Sequence, residues 1–188
     1  GLNVQINVAL AAESDAWLEY LPQETILFDG AKLARITSVD AMPGSQVLAG
    51  EIIVFGRRGS GESFRNGFFS ETWRVRLDDR LTWADTLLLN DPKNGALHHP
   101  AGFDGAVAMA TAIYLGPDAS MHLDLARNLI SCTGDLVKSS ATIVNGVLVI
   151  RFLGRETFSL RTAFGLFWQN FRHGVSGLPA KMPRLWEM

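Results

Sequence analysis

Apolar and polar positions alternate with a period of two along most of the chain up to Leu115, which is the pattern of half-buried strands. In NVQINVAL, Val4, Ile6 and Val8 share one face. AKLARITSVDAMPGSQVLAGEIIVFGR predicts two strands joined by a turn at Pro43-Gly44, where proline fixes φ and glycine accepts a positive one. TWRVRLDDRLTWADTLLL predicts a hairpin around Asp78 and Asp79, with Trp73, Val75 and Leu77 alternating against Arg74 and Arg76. AVAMATAIYLG is a further strand, ended by Gly116-Pro117.

The period then changes. PDASMHLDLARNLI sets Met121, Leu125 and Leu129 four apart behind a cap at Asp118 or Ser120, and predicts a short amphipathic helix. ATIVNGVLVIRFLG returns to a hairpin with Asn145-Gly146 as a type I′ turn. TFSLRTAFGLFWQNFRHG places Leu160, Phe164, Phe167, Trp168 and Phe171 on one helical face, capped near Thr157 or Ser159 and stopped at Gly174. The closing LPAKMPRLWEM is extended and broken by prolines. The expected fold is mainly β: a layered stack of mostly antiparallel strands with two α-helices in the C-terminal half, one domain over residues 1–188.

Composition narrows the functional classes. Apolar residues make up 47% and charged residues 19%, as in a globular chain, and no apolar run reaches the roughly 18 residues of a membrane span. The net charge of −2, with both signs spread along the chain, leaves no basic footprint for nucleic acid or an anionic membrane. The single cysteine, Cys132, excludes an intrachain disulfide and a cysteine-cluster zinc site, which fits a reducing, cytoplasmic compartment. There is no initiator methionine, and residue 1 falls where a strand is already under way, so a longer natural chain is expected to precede it.

Candidate chemistry is sparse. EIIVFGRRGSGESF has Gly56, Gly59 and Gly61 in phosphate-loop style, but Glu62 and Ser63 stand where Lys and Ser/Thr would be needed, and strands follow instead of a helix. The loop is therefore expected to join two strands. His98 and His99 are adjacent in a loop and point opposite ways, and His122 and His173 fall on the helices. GSGES is not a nucleophile elbow, and LISCTGD has no histidine nearby. A hydrolase using Cys132 or Ser63 with a remote histidine, and a small-ligand-binding β domain, stand as the alternatives to a non-catalytic protein.

Carboxylates interrupt several apolar stretches: Glu24, Asp29, Glu51, Glu62 and Asp85. An ionised carboxylate beside a buried strand is costly unless paired. One reading pairs them with Arg35, Arg57, Arg58 and Arg151 as strand-end ion pairs; the other has them line a polar passage or a partner surface. The aromatic helix likewise reads as core packing or, with the tail around Trp186, as a docking site.

The string WLEYLPQETILFDGAKLARITSVDAMPGSQVLAGEIIVFGRRGSGESF, followed by VLVIRFLG and a PRLW ending, resembles the urease accessory protein UreD family, called UreH in some bacteria. The similarity runs from about residue 2 to residue 186, and family members are longer at the front, where they carry threonine- and glutamine-rich strands. The resemblance implies a β-rich scaffold without catalysis that binds UreF and, through it, the GTPase UreG, and docks on the urease apoprotein while nickel enters. It implies that GTP belongs to UreG and that nickel passes through the subunit's interior without a tightly bound cofactor here. Glu24, Asp29, Glu51 and Glu62 lie in the matching motifs and become candidate nickel-path residues, since nickel accepts oxygen ligands. Phe164, Trp168, Phe171, Arg184 and Trp186 become candidate partner-binding residues.

Overall fold

The chain coils between two β-sheets, and the coiling decides which strands become neighbours. A computed structural model describes residues 4–91, 95–131 and 134–186. In chain order, β1 (Val4–Ala12) lies in the first sheet, and β2 (Trp17–Tyr20) and β3 (Thr25–Leu27) lie in the second. The chain returns to the first sheet for β4 (Lys32–Ala41) and crosses again for β5 (Gln46–Phe55). The β6 (Phe68–Leu77) and β7 (Arg80–Asn90) hairpin completes the first sheet, in the order β1-β4-β6-β7. Strands β8 (Ala108–Leu115), β9 (Val137–Val144) and β10 (Val147–Gly154) complete the second, in the order β2-β5-β8-β10-β9, with β3 also beside β5.

A strand that crosses to the other sheet and comes back returns in its original direction. Thus β1 with β4, β4 with β6, and β2 and β3 with β5 pair in parallel. The antiparallel contacts are β6 with β7, β5 with β8, and β10 with β8 and β9. The expectation of mostly antiparallel strands is corrected to mixed sheets, because period-two alternation reports a half-buried face and carries no strand direction. Pro43-Gly44 does turn the chain, but from sheet to sheet instead of within a hairpin. Gly44 has φ +83°, and a Cβ there would lie 2.4 Å from Asp15 Oδ1. The two hairpins are as predicted: Asp78 and Asp79 have φ of 52° and 59°, and Asn145 and Gly146 have 48° and 83°, the mirror-image turn geometry.

Two helices, α1 (Leu123–Ile130) and α2 (Thr157–Ser176), cover the second sheet's outer face and make a third layer. The five aromatic and aliphatic positions foreseen for α2 are all buried, and Phe152 packs edge-on to Phe164 at 5.6 Å. The helix runs past Gly174 to end at Gly177, which takes the left-handed φ of +68°. In α1 the fully buried positions are Ala126 and Ile130; Met121, in the short 3-10 turn before it, is exposed. No side chain caps either helix. Asp118 instead accepts the Tyr114 hydroxyl and faces His122 Nε2, both at 2.8 Å.

Candidate functional site

Each inter-sheet face reads apolar, polar, apolar along its strands. One end is filled by Val39, Val47, Ala49, Trp73, Val75 and Ile113, and the other by Leu33, Ile53, Phe55, Phe69 and Leu89. Between them lie Arg35, Thr37, Glu51, Glu71 and Thr111, all buried. Strand parity puts them there: Arg35 and Thr37 lie between Leu33 and Val39 on β4, Glu51 between Ala49 and Ile53 on β5, and Glu71 between Phe69 and Trp73 on β6.

The side chains meet. Arg35 and Glu71 are register neighbours, and the guanidinium forks onto the carboxylate, Nε to Oε1 at 2.7 Å and Nη2 to Oε2 at 2.8 Å. Arg35 Nη2 also contacts Glu51 Oε2. Its Nη1 donates to Thr25 Oγ1 at 3.0 Å, and Trp73 Nε1 donates to Glu51 Oε1 at 3.0 Å. Glu51, Thr111 and Arg151 then stand abreast on β5, β8 and β10, and Arg151 reaches across to Asp85 of β7 at 2.8 Å. A row of polar groups thus crosses the sandwich from β3 to Asp85 on the edge strand β7 and Arg151 on β10, the strand inside β9.

One guanidinium faces two carboxylates. Burial pushes the Glu51 carboxyl well above the usual carboxylate range and Glu71 adds to this, while Arg35 and the Trp73 indole oppose it. Burial disfavours the charged form of Arg35 too, but the two carboxylates outweigh that and hold the guanidinium protonated. At the edge, the row ends beside a cleft of about 400 Å³ whose walls include Asp85, Leu87, Phe103, Met109, Lys138 and Arg151.

The structure brings only one of the four carboxylates marked as path candidates into this row. Glu51 is in it. Glu24 precedes β3 and takes Arg161 Nη1 at 2.5 Å; Arg161 also donates to the Trp186 carbonyl at 3.3 Å. Asp29 and Glu62 brace the glycine loop on the surface: Asp29 Oδ1 accepts the Arg65 and Asn66 backbone N–H at 2.9 and 2.8 Å. Glu62 accepts the Asp29 N–H at 2.6 Å and Arg57 Nε at 2.7 Å. These hydrogen bonds hold both carboxyls below their ordinary range. Glu71 was missed, although a charged residue on the Phe69–Trp73–Val75 side of an alternating strand was the signal for it.

The glycine loop joins β5 to β6 as expected, and Gly56, at φ +100°, leaves room for the returning Glu62 carbonyl 2.5 Å from where a Cβ would be. Phe164, Trp168 and Phe171 are buried against the second sheet and offer no surface for docking. Trp186 stacks on Phe164 at 6.0 Å with Arg161 over its ring at 4.7 Å, and Arg184 is exposed. Ser63 Oγ accepts Arg58 Nη1 at 2.5 Å, and Cys132 lies outside the described residues. Among the described residues, no group of three or more His, Cys, Asp or Glu side chains is placed to hold a metal ion, and no helix is long and apolar enough to cross a membrane.

The family model for the UreD urease accessory protein matches residues 1–187. Curated relatives named urease accessory protein UreD include one from Magnetococcus marinus, 40% identical over all of this chain and 66% of its own length. Another, from Methylobacterium sp., is 40% identical over 92% of this chain and 60% of its own. A third, from Granulibacter bethesdensis, is 38% identical over 99% of this chain and 76% of its own. The chain thus spans about two thirds of the length of the relatives it matches. It belongs to the UreD urease accessory protein family.

Proposed function

We propose that this protein is a non-catalytic scaffold of urease maturation that acts in the cytoplasm. It assembles with UreF and, through UreF, with the GTPase UreG on the urease apoprotein, and its inter-sheet row lies on the route by which nickel reaches the urease active site. Family membership supports the maturation role. The observation that carries the route is the buried trio of Arg35, Glu51 and Glu71, whose carboxylates are 2% and 3% exposed in an otherwise apolar sandwich. Stability alone gives little reason to keep it, because buried ion pairs are commonly replaced by apolar side chains without loss.

Carboxylate and hydroxyl oxygens fit nickel as cargo. Glu51 and Glu71 present four such oxygens and Thr37 and Thr111 add hydroxyls, an oxygen set suited to brief residence. Glu24, Asp29 and Glu62 are proposed as outlying acidic groups of the same route, and Arg184 and Trp186 as contacts for a protein partner.

The test uses the full-length protein with UreF, UreG and apo-urease, in a pull-down followed by activation with nickel and GTP. Co-purification and activation that depends on this subunit, with activation reduced in Glu51→Gln while assembly persists, is the expected result. Assembly failure would remove the scaffold reading, and full activation by Glu51→Gln would remove the route.

A further inference from the structure

We propose that Arg35 is the resident cation of the inter-sheet row: its guanidinium fills the place between Glu51 and Glu71 that a divalent ion must occupy, and it must swing aside before the ion moves on. The proposal rests on the reading of the row as an ion route and adds the element that closes it. Arg35 is 5% exposed, forked onto Glu71 and in contact with Glu51 Oε2, so nothing passes between the two carboxylates while it stays.

The charge balance favours an exchange. One guanidinium leaves the two carboxylates with a surplus negative charge or a proton, whereas a divalent cation balances them. The surrounding groups are arranged for it as well. Trp73 Nε1 holds Glu51 Oε1 and leaves Oε2, the oxygen now on Arg35, as the one to be handed over. Thr37, fully buried on the same face of β4 one alternation further on and beside Trp73 in the register, has a hydroxyl with no hydrogen-bond partner. A buried hydroxyl without a partner, on the same inward face of β4 as Arg35, is a polar group that the closed state does not use. The outgoing guanidinium has a direction, since Nη1 already reaches Thr25 Oγ1 on β3, a three-residue edge strand.

The experiment compares untagged full-length wild type, Arg35→Gln and the double variant Arg35→Gln/Glu51→Gln, titrated with Ni²⁺ by calorimetry and in thermal unfolding. Arg35→Gln is expected to gain one Ni²⁺ site about tenfold or more tighter than anything in wild type, with a nickel-dependent rise in Tm. The double variant should lose both. If Arg35→Gln is unfolded in the absence of metal, nickel should refold it. A folded Arg35→Gln that gains no ion, or an unfolded one that millimolar nickel does not rescue, overturns the proposal. Failure of the route itself is read separately, from full urease activation by Glu51→Gln, so the two ideas fall to different results.

Discussion

The second sheet has two faces built from the same strands, and they are filled by opposite rules. Toward the helices, β5 sends Leu48, Gly50, Ile52 and Val54, and they meet Phe164, Phe167 and Trp168 in a layer with no buried charge among the described residues. Toward the other sheet, the alternate residues of β5 are Val47, Ala49, Glu51, Ile53 and Phe55, with a carboxylate at the centre. A chain that builds a dry layer on one side of a strand has the means to build one on the other. The polar row is therefore a retained exception, and burying charge costs stability unless partners offset it.

The largest loss of stability is expected in the dry layer. Phe164→Ala should cost about 3–5 kcal/mol, measured as a lowered urea midpoint, because the ring is fully buried between Phe152, Trp168 and Trp186. In the polar layer, the triple replacement Arg35→Met, Glu51→Leu, Glu71→Leu should be neutral or stabilising by about 1–4 kcal/mol and should abolish urease activation. A strongly destabilised triple variant would show that the row is structural.

Gly50→Ala comes next, at about 1–3 kcal/mol, since the new methyl would lie 2.9 Å from Trp168 Cζ3 and from the Thr111 carbonyl oxygen. At the solvent edge of the row, Arg151→Ala should change stability by less than about 1 kcal/mol, because its pair with Asp85 is half exposed. The smallest effect is an acid one. Asp29 has its carboxyl pulled down by the Asn66 and Arg65 N–H groups, so its stabilisation is complete above the unfolded value of about 3.9 and is lost as pH falls through the lower folded one. Asp29→Asn should flatten the stability–pH curve in that acid window, and the stability it removes should be missing at neutral pH rather than at low pH.

Local chemistry was legible wherever it settles structure without help. The Asp78-Asp79 and Asn145-Gly146 turns and the apolar face of α2 could be read from the sequence because each depends on residues within one turn or one helix. The parallel pairing of β1, β4 and β6 could not, since direction depends on where the intervening strand docks. Helix ends also escaped: α2 passes Gly174 because that glycine packs against Leu125 in α1, with a Cβ there falling 2.8 Å from Leu125 Cδ2. In the site, the resemblance and the embedded acid pointed to Glu51. They could not say that Glu71, 20 positions later, would share the same guanidinium, because Arg35 meets Glu71 on the neighbouring strand of its own sheet and Glu51 across the sandwich, and neither contact lies along one strand.

The coiled path also bears on how the protein is made. Strands β1, β4 and β6 can align only after the segments between them have crossed to the other sheet, so folding must close long loops before it gains much contact energy. While it does so, β1, a terminal strand of the first sheet among the described residues, carries Val4 and Ile6 60% and 38% exposed and can pair with a neighbouring chain's strand. Slow synthesis at low temperature should accordingly raise the soluble yield, because each turn of the coil would have time to close before a stranger's strand takes the vacant edge.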